Sequence, residues 1–206
     1  FVTQRDDARL AQIGTRITLD ALVLSAAGMA PLTVPLASRG GSLLEVTVWN
    51  SQVPAHDAGD AAAGWLSAVL GADLRLVRFD PAHRRQCNPA YTGDSGAHTA
   101  FADGYPMLVI AEASLADLNR RLAAKGTPAL PMNRFRPNLV LAGLEPHDED
   151  HSDTLVADGV TMKLVKPRTR CQITTTDQDS GLVGPEPLAT LAGYRTDVRL
   201  AGVTFG

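Results

Sequence analysis

The sequence predicts a mainly β fold of the α+β class, in which two strand-rich units carry a few helices. Residues 15–50 alternate apolar and polar side chains with period two, which is typical of half-buried antiparallel strands. The second half contains several short β-branched or apolar runs between turn residues. Helical periodicity is confined to a few short stretches, so helices are the minor component.

The composition is that of a globular protein with one large or two small domains. Of its 206 residues, 45% are hydrophobic and 20% are charged, which is enough to bury a core. The net charge of −3 lacks the basic excess of a nucleic-acid-binding protein, so we expect no nucleic acid partner. The two cysteines, Cys87 and Cys171, cannot form a disulfide framework or a CxxC metal site, and they suit a reducing compartment. Every apolar run is shorter than a membrane span, so we expect a cytoplasmic protein with no membrane partner.

In the first half, short strands are followed by one helix and one further strand. The residues that separate the strands within 15–50 are Gly28, Pro31, Pro35, Gly40 and Gly41. A helix is predicted over 57–70 and ends at Gly71. The residues that share its apolar face are Ala61, Trp65, Leu66 and Leu70. After a strand over 74–79, residues 84–98 are rich in Gly, Pro, Asn and His without periodicity, which predicts a linker between domains.

The second half is predicted to contain one well-defined helix among short strands. This helix covers 114–124, begins at a capping-box pair formed by Ser114 and Asp117, and ends near Gly126. The predicted strands are 107–111, 138–142, 153–156, 160–165, 171–176 and 203–205. A short helix over 188–193 precedes the last of them. Because residues 1–3 already read as a strand interior and the sequence stops just after the last strand, we expect that segments are missing at both ends.

Cys171 has two interpretations. A cysteine at the start of an apolar strand is an ordinary buried core thiol in many proteins. The three cations Lys166, Arg168 and Arg170 would instead favour the thiolate, which is the form that attacks electrophiles or binds a soft metal. On a regular strand these cations would point away from Cys171, but Pro167 disturbs regularity, so the geometry is open at this point.

Two other charged motifs are candidate sites. Pro137 favours an extended backbone at Arg136, and a guanidinium fixed at the entry of a strand suits a phosphate or carboxylate, although an ordinary solvated arginine is the alternative. Residues 147–151 hold two histidines and three carboxylates. Their spacing requires a helix to act as metal ligands, and Pro146 precedes a loop, so we expect a solvated acidic loop.

Five blocks in the second half resemble the MOSC domain, in the branch that includes the mitochondrial amidoxime-reducing component and bacterial YcbX-like reductases. These blocks are Phe101–Pro106, Ala113–Asn119, Phe135–Asn138, Arg170–Asp177, and Glu186–Leu191 with Tyr194 and Arg195. Weaker matches in the first half resemble the N-terminal β-barrel domain of that family. The resemblance implies a smaller β-barrel-type domain over 1–88 and a MOSC β-barrel domain over 97–206, both truncated.

The resemblance also implies a molybdenum cofactor, molybdopterin with molybdenum, held between the two domains. Cys171 matches the catalytic cysteine whose thiolate binds molybdenum. The residues that match contacts to the pterin and its phosphate are Asp103, Gly104, Tyr105, Arg136, Asn138, Thr169 and Arg170. An association with pyridoxal phosphate exists at the level of the family only.

The activity implied is that of an oxidoreductase that reduces N-hydroxylated compounds such as hydroxylamines, amidoximes and N-hydroxylated bases. Its partners would be that small-molecule substrate and an electron-donor protein of the ferredoxin or flavin-reductase type. Two alternatives stay open: a sulfur-transfer protein with a persulfide on Cys171, and a cofactor carrier without turnover. Some bacterial members of the family continue into an iron–sulfur domain.

Overall fold

The chain forms two compact units, each assembled from several segments. A computed structural model describes residues 1–37 and 41–206, so the turn predicted at Gly40 lies outside the described residues. The first unit contains residues 1–86, 98–103 and 178–182. The second unit contains residues 87–97, 104–177 and 183–206.

The first unit is built from small antiparallel sheets and one helix. Its elements are β1 Gly14–Ile17, β2 Ala21–Ser25, β3 Leu32–Pro35, β4 Leu43–Val48, β5 Ser51–Asp57, α1 Asp60–Leu70, β6 Val77–Phe79, β7 Arg85–Gln86 and β8 His98–Thr99. The sheets have the orders β1-β2-β3, β4-β5-β6 and β7-β8, and all their pairs are antiparallel. A short 3₁₀ turn, Ala8–Gln12, precedes β1. Within the described residues, none of these sheets closes on itself.

The helix α1 begins three residues later than predicted, and its buried face differs from the predicted one at Ala61. Residue 57 still belongs to β5, where it pairs with Val77, so the chain is extended up to that point. The buried residues of α1 are Ala62, Ala63, Leu66 and Leu70, whereas Ala61 is exposed, and the predicted face was therefore wrong at that residue. The end was predicted correctly: Gly71 has φ 67° and donates its N–H to the Ser67 carbonyl, a left-handed cap that favours glycine.

The second unit combines a parallel strand pair, two antiparallel pairs and three helices. Its elements are α2 Pro89–Thr92, β9 Val109–Ala111, α3 Glu112–Ala123, β10 Leu139–Leu141, β11 Thr154–Ala157, β12 Val160–Lys163, α4 Leu188–Ala192, β13 Thr196–Asp197 and β14 Gly202–Val203. β9 and β10 are parallel, whereas β11 with β12 and β13 with β14 are antiparallel. Three 3₁₀ turns connect them, at Met132–Arg134, Asp148–Asp150 and Gln172–Thr175.

The core of the second unit holds together the segments that later form the candidate site. Its buried members are Ile110, Leu118, Leu122, Phe135, Leu191 and Phe205. The rings of Phe135 and Phe205 stack with centroids 4.4 Å apart, which joins the loop before β10 to the final segment of the chain.

The mainly β class with a few helices is confirmed, since the described residues form fourteen short strands and four α-helices. The segment 84–98, predicted as a linker, includes the change from the first unit to the second at residue 87, and it also contains β7, α2 and the start of β8, elements too short to give a periodic signal. Two local predictions were wrong. The strand predicted over 171–176 is a 3₁₀ turn, and α3 begins at Glu112 without a capping box. Among the described residues, no helix is long and apolar enough to cross a membrane.

Candidate functional site

Cys171 lies half-buried at a sharp change in backbone direction. Its own backbone is extended, with φ −121° and ψ 177°, and the 3₁₀ turn follows at once. The Cys171 carbonyl accepts hydrogen bonds from the backbone N–H of Thr174 at 3.1 Å and from its hydroxyl at 3.0 Å. The Thr175 hydroxyl donates to the Gln172 carbonyl at 2.7 Å in the same way. Threonine hydroxyls that bond back to carbonyls three residues earlier stabilise a turn, which is why this β-branched run is not a strand.

The residues before Cys171 are held in an extended conformation by the end of the chain. The N–H of Arg170 donates to the Val203 carbonyl at 2.7 Å, and the N–H of Phe205 donates to the Arg168 carbonyl at 3.0 Å. Thr169 forms an antiparallel bridge with Thr204 between these two bonds. The geometry left open by the sequence is thus a single antiparallel bridge at Thr169, and the extended backbone ends at Cys171.

Two arginines fix the segment around Cys171 to the loop before β10. Arg170 donates to the Phe135 carbonyl at 2.6 Å, and its guanidinium lies 5.3 Å from the centroid of the Phe135 ring. Arg134 donates to the Thr175 carbonyl at 3.1 Å and to the Asp177 carboxylate at 2.8 Å. Arg134 was not predicted as a site residue. The signal that could have found it is the pair of arginines flanking a large aromatic residue in Arg134-Phe135-Arg136.

Arg136 is exposed and has a strained backbone. Its φ is 53°, so the extended conformation predicted from Pro137 was wrong. The reason is local, because the N–H of Phe135 donates to Met132 and that of Arg136 donates to Asn133, which continues the preceding 3₁₀ turn. A non-glycine residue in this left-handed region costs about 1–2 kcal/mol. Arg136 therefore follows directly after this turn. The residue before it, Phe135, accepts a hydrogen bond from Arg170 at its carbonyl.

Asn138 connects the starts of the two parallel strands, β9 and β10, by hydrogen bonds to Leu108. Its side-chain oxygen accepts from the Leu108 N–H at 2.9 Å, and its own N–H donates to the Leu108 carbonyl at 2.9 Å. These two bonds fix Asn138, two residues after Arg136, directly before β10. The side-chain oxygen of Asn138 is therefore already bonded to the backbone.

Gly104 and Tyr105 lie in the second unit, where Gly104 faces open space and Tyr105 packs against another aromatic ring. A Cβ built on Gly104 would have no heavy atom within 4 Å, so open space faces it. Tyr105 packs edge-to-face against Tyr91, with centroids 6.3 Å apart, and burial raises the pKa of its phenol. The Lys166 ammonium lies 4.8 Å from the Tyr91 ring centroid, which is a cation–π distance.

Asp103 belongs to the first unit, unlike the other seven predicted site residues. Its carboxylate accepts a hydrogen bond from the Trp49 indole N–H at 3.1 Å, and its backbone carbonyl accepts one from Arg85. In the second unit, Thr169, Arg170 and Cys171 follow one another along the chain. The hydrogen bond from Arg170 to the Phe135 carbonyl connects this segment to the loop that carries Arg136 and Asn138.

The acidic segment 147–151 is not the solvated loop that the sequence predicts. Glu149 is 4% exposed and accepts hydrogen bonds from the Ser114 hydroxyl at 2.8 Å and from the Ala111 N–H at 3.3 Å. Asp150 pairs with Arg195. These partners, which come from distant parts of the sequence, compensate the burial of the carboxylates. The segment is therefore a structural element of the second unit.

The segment around Cys171 offers one soft potential metal ligand, the thiol itself. Among the described residues, no cluster of three or more His, Cys, Asp or Glu side chains could hold a metal ion. A thiolate is a soft ligand, and one such ligand suffices when an organic cofactor supplies further sulfur atoms. The exposed guanidinium of Arg136 and the open space at Gly104 suit a bulky, phosphorylated cofactor.

Comparison with known proteins identifies the two domain families that the chain matches. Residues 96–206 match the family model of the MOSC domain, and residues 1–73 match that of the MOSC N-terminal beta barrel domain. The chain is 35% identical over 200 residues to mitochondrial amidoxime reducing component 2 of Bos taurus and 36% identical over 201 residues to mitochondrial amidoxime-reducing component 1 of Homo sapiens. Each alignment covers 95% of this chain and 58% of the relative, so the chain spans less than two thirds of the length of these relatives.

Two further similarities extend over smaller parts of the chain. The molybdenum cofactor sulfurase of Oryza sativa subsp. japonica is 36% identical over 165 residues, which are 73% of this chain and 20% of that protein. A solution structure of a Bordetella bronchiseptica protein matches 39% of this chain and 64% of its own, with 28% identity and a TM-score of 0.36.

Fold and sequence together define a mainly β protein with one half-buried cysteine at a fixed turn, preceded by a strand-rich N-terminal unit. The chain belongs to the MOSC domain family and carries a MOSC N-terminal beta barrel domain ahead of the MOSC domain. It is similar over nearly its whole length to the mitochondrial amidoxime-reducing components.

Proposed function

We propose that this chain is part of a molybdenum-cofactor-dependent oxidoreductase that reduces N-hydroxylated compounds, with the Cys171 thiolate as protein ligand of molybdenum. The observation that carries the proposal is the fixed position of Cys171. The residues before it are paired with the last strand segment, and the turn after it is held by Arg134. A metal ligand needs such preorganisation, since a mobile thiol binds with a large entropic cost.

The residues proposed to hold the cofactor are Cys171, Asp103, Gly104, Tyr105, Arg136, Asn138, Thr169 and Arg170. When bound, the cofactor would supply the two-electron chemistry. The role of the chain is electrostatic and steric. Arg136 offers an exposed guanidinium to a phosphate, Arg170 fixes the loop that carries Arg136 through the Phe135 carbonyl, and Gly104 leaves room for a close approach of the ligand.

The proposal extends to the partners of the protein. The names of the similar proteins support an N-hydroxylated substrate such as an amidoxime. Reduction of an N–O bond needs two electrons, so an electron-donor protein of the ferredoxin or flavin-reductase type is also proposed.

A cytoplasmic location stays a prediction, since the names of the relatives place those proteins in mitochondria.

The test is molybdenum and pterin analysis of the full-length protein made in a cofactor-proficient host, together with reduction of a model amidoxime by an artificial electron donor. Wild type is expected to contain both and to be active. Cys171→Ala should lose activity but stay folded, because one half-buried thiol contributes little to stability. Cys87→Ala is the matched control, since Cys87 is the other cysteine and is buried. Activity retained in Cys171→Ala would exclude the proposed ligand role.

A second candidate function is sulfur transfer, with a persulfide on Cys171. It is favoured by the similarity to a molybdenum cofactor sulfurase. A persulfide detected on Cys171 by mass spectrometry in well-folded protein without pterin would support this function over the first. Bound pterin without any reductase activity would instead indicate a cofactor carrier.

A further inference from the structure

One loop of the first unit, Ala100–Asp103, is held by a buried arginine. Arg85 is 9% exposed, and one of its terminal nitrogens donates to the carbonyls of Ala100 at 2.6 Å and Ala102 at 2.8 Å. The other terminal nitrogen donates to the carbonyl of Asp103. A guanidinium is planar and presents its donors in a fixed fork, so three carbonyls bonded to it cannot move independently. Arg85 therefore determines the shape of the loop up to Asp103.

The same loop has a second, independent anchor at its last residue. The indole N–H of Trp49 donates to the Asp103 carboxylate at 3.1 Å. Trp49 lies in the two-residue turn between β4 and β5, and its φ of 55° is unfavourable for so large a side chain. The Arg5 guanidinium lies 4.8 Å from the centroid of the Trp49 ring, and Phe1 packs edge-to-face against it at 5.3 Å. Strained residues persist where their surroundings fix them, and they concentrate at functional sites.

We infer that Arg85 and Trp49 are positioning residues that set the backbone and the carboxylate of Asp103 for cofactor binding. This inference rests on the proposed function, in which Asp103 is a cofactor contact. Arg85 holds the main chain of the loop, and Trp49 holds the Asp103 carboxylate through a hydrogen bond from its indole N–H. Neither residue is among those proposed to touch the cofactor itself.

The alternative is that both residues only stabilise the first unit. A purely structural role predicts that removing either side chain lowers the melting temperature and leaves cofactor release from the folded protein unchanged. A positioning role predicts faster release at a temperature where the variant is fully folded. The two roles therefore differ in a measurable rate.

The experiment compares Arg85→Gln and Trp49→Phe with wild type in the full-length, cofactor-loaded protein, following pterin release by fluorescence. Each variant is expected to release pterin roughly 10- to 100-fold faster, the usual effect of losing a group that orients a ligand-binding residue. Arg78→Gln is the matched control and should release pterin at the wild-type rate, because Arg78 also donates to a backbone carbonyl of the first unit, that of Leu36.

Hydrogen–deuterium exchange of the cofactor-free protein provides a readout that does not depend on the proposed function. Arg85→Gln should increase exchange in residues 100–103, and Arg85→Lys should restore only part of the protection, because lysine keeps the charge but not the fork. Wild-type release rates in both Arg85→Gln and Trp49→Phe, or unchanged exchange in the loop, would overturn the inference. If wild type contains no pterin, the proposed function fails first and the inference with it.

Discussion

At the scale of single residues, Arg136 combines a costly backbone conformation with an exposed side chain. Its left-handed backbone lies at the end of a 3₁₀ turn, where glycine would be more favourable. A non-glycine residue at a costly φ motivates the hypothesis that its side chain has a use. The use proposed here is a guanidinium directed at a phosphate.

Arg136→Gly is therefore expected to have effects of opposite sign on stability and on binding. Relief of the backbone strain should stabilise the cofactor-free protein by about 0.5–1 kcal/mol, less than the full strain because glycine also makes the unfolded chain more flexible. Loss of a charged hydrogen bond should weaken cofactor retention by roughly 1.5–3 kcal/mol. Urea unfolding measures the first effect and pterin occupancy the second. Unchanged occupancy would remove Arg136 from the site.

At the scale of elements, the sequence predicts well where a segment interacts mainly with itself. The helix α3 and the cap at Gly71 follow from local periodicity and backbone preference, and both are present. The predictions failed where hydrogen-bond partners from distant parts of the sequence determine the local structure. Ser114 reads as a helix cap, yet its hydroxyl donates to Glu149 and accepts from the His147 N–H at 2.8 Å. Five polar residues in a row read as a solvated loop, and only the folded chain supplies the groups that bury Glu149 and pair with Asp150.

In the candidate site, too, local features could be predicted and features that depend on distant partners could not. Cys171 and Arg170 could be recognised from residue type and resemblance, because a thiol and a guanidinium are the side chains that bind a soft metal and a phosphate. The turn at Cys171 could not, because the β-branched run 173–176 suits a strand equally well, and only the hydrogen bonds from the Thr174 and Thr175 hydroxyls to carbonyls three residues earlier stabilise the turn. Arg134 was missed for a related reason, since its partners Thr175 and Asp177 are more than 40 residues away.

The turn Asp148–Asp150, in which Glu149 is buried, gives a prediction on pH. His147 precedes it, and burial, followed by the nearby Arg195, lowers the pKa of its imidazole below the ordinary value of 6.5. The acidic groups that act in the opposite direction are Glu149, Asp150 and Asp117. Below pH 6.5 the unfolded chain thus binds a proton that the folded chain resists, so the free energy of unfolding decreases as the pH falls.

His147→Asn should remove part of this slope just below pH 6.5, because asparagine does not titrate and tolerates the φ of 69° at this position. Chemical unfolding at a series of pH values provides the measurement. His151→Asn is the matched control, since His151 follows the same turn but is exposed. Identical slopes in wild type and His147→Asn would show that His147 does not contribute.

At the scale of the whole molecule, the chain passes between its two units five times, so neither unit is a continuous stretch of sequence. The first unit includes residues 178–182, which are tied to the N-terminal region by reciprocal amide hydrogen bonds between Gln4 and Gln178 at 3.1 Å. Gln12 also donates to the Ser180 carbonyl at 3.0 Å. The predicted domain limits of 1–88 and 97–206 would separate these partners.

This arrangement predicts the result of cutting the chain in the exposed segment 93–96. A protease site inserted there should be cleaved without separating the two fragments under native conditions, because the C-terminal fragment carries residues 98–103 and 178–182 of the first unit. Gel filtration of the cut protein should give a single species, which separates into two in denaturant. Adding Arg85→Gln should lower the denaturant concentration needed, since Arg85 bonds the two fragments through Ala100, Ala102 and Asp103. Fragments that separate without denaturant would show instead that the limits of 1–88 and 97–206 are true domain boundaries.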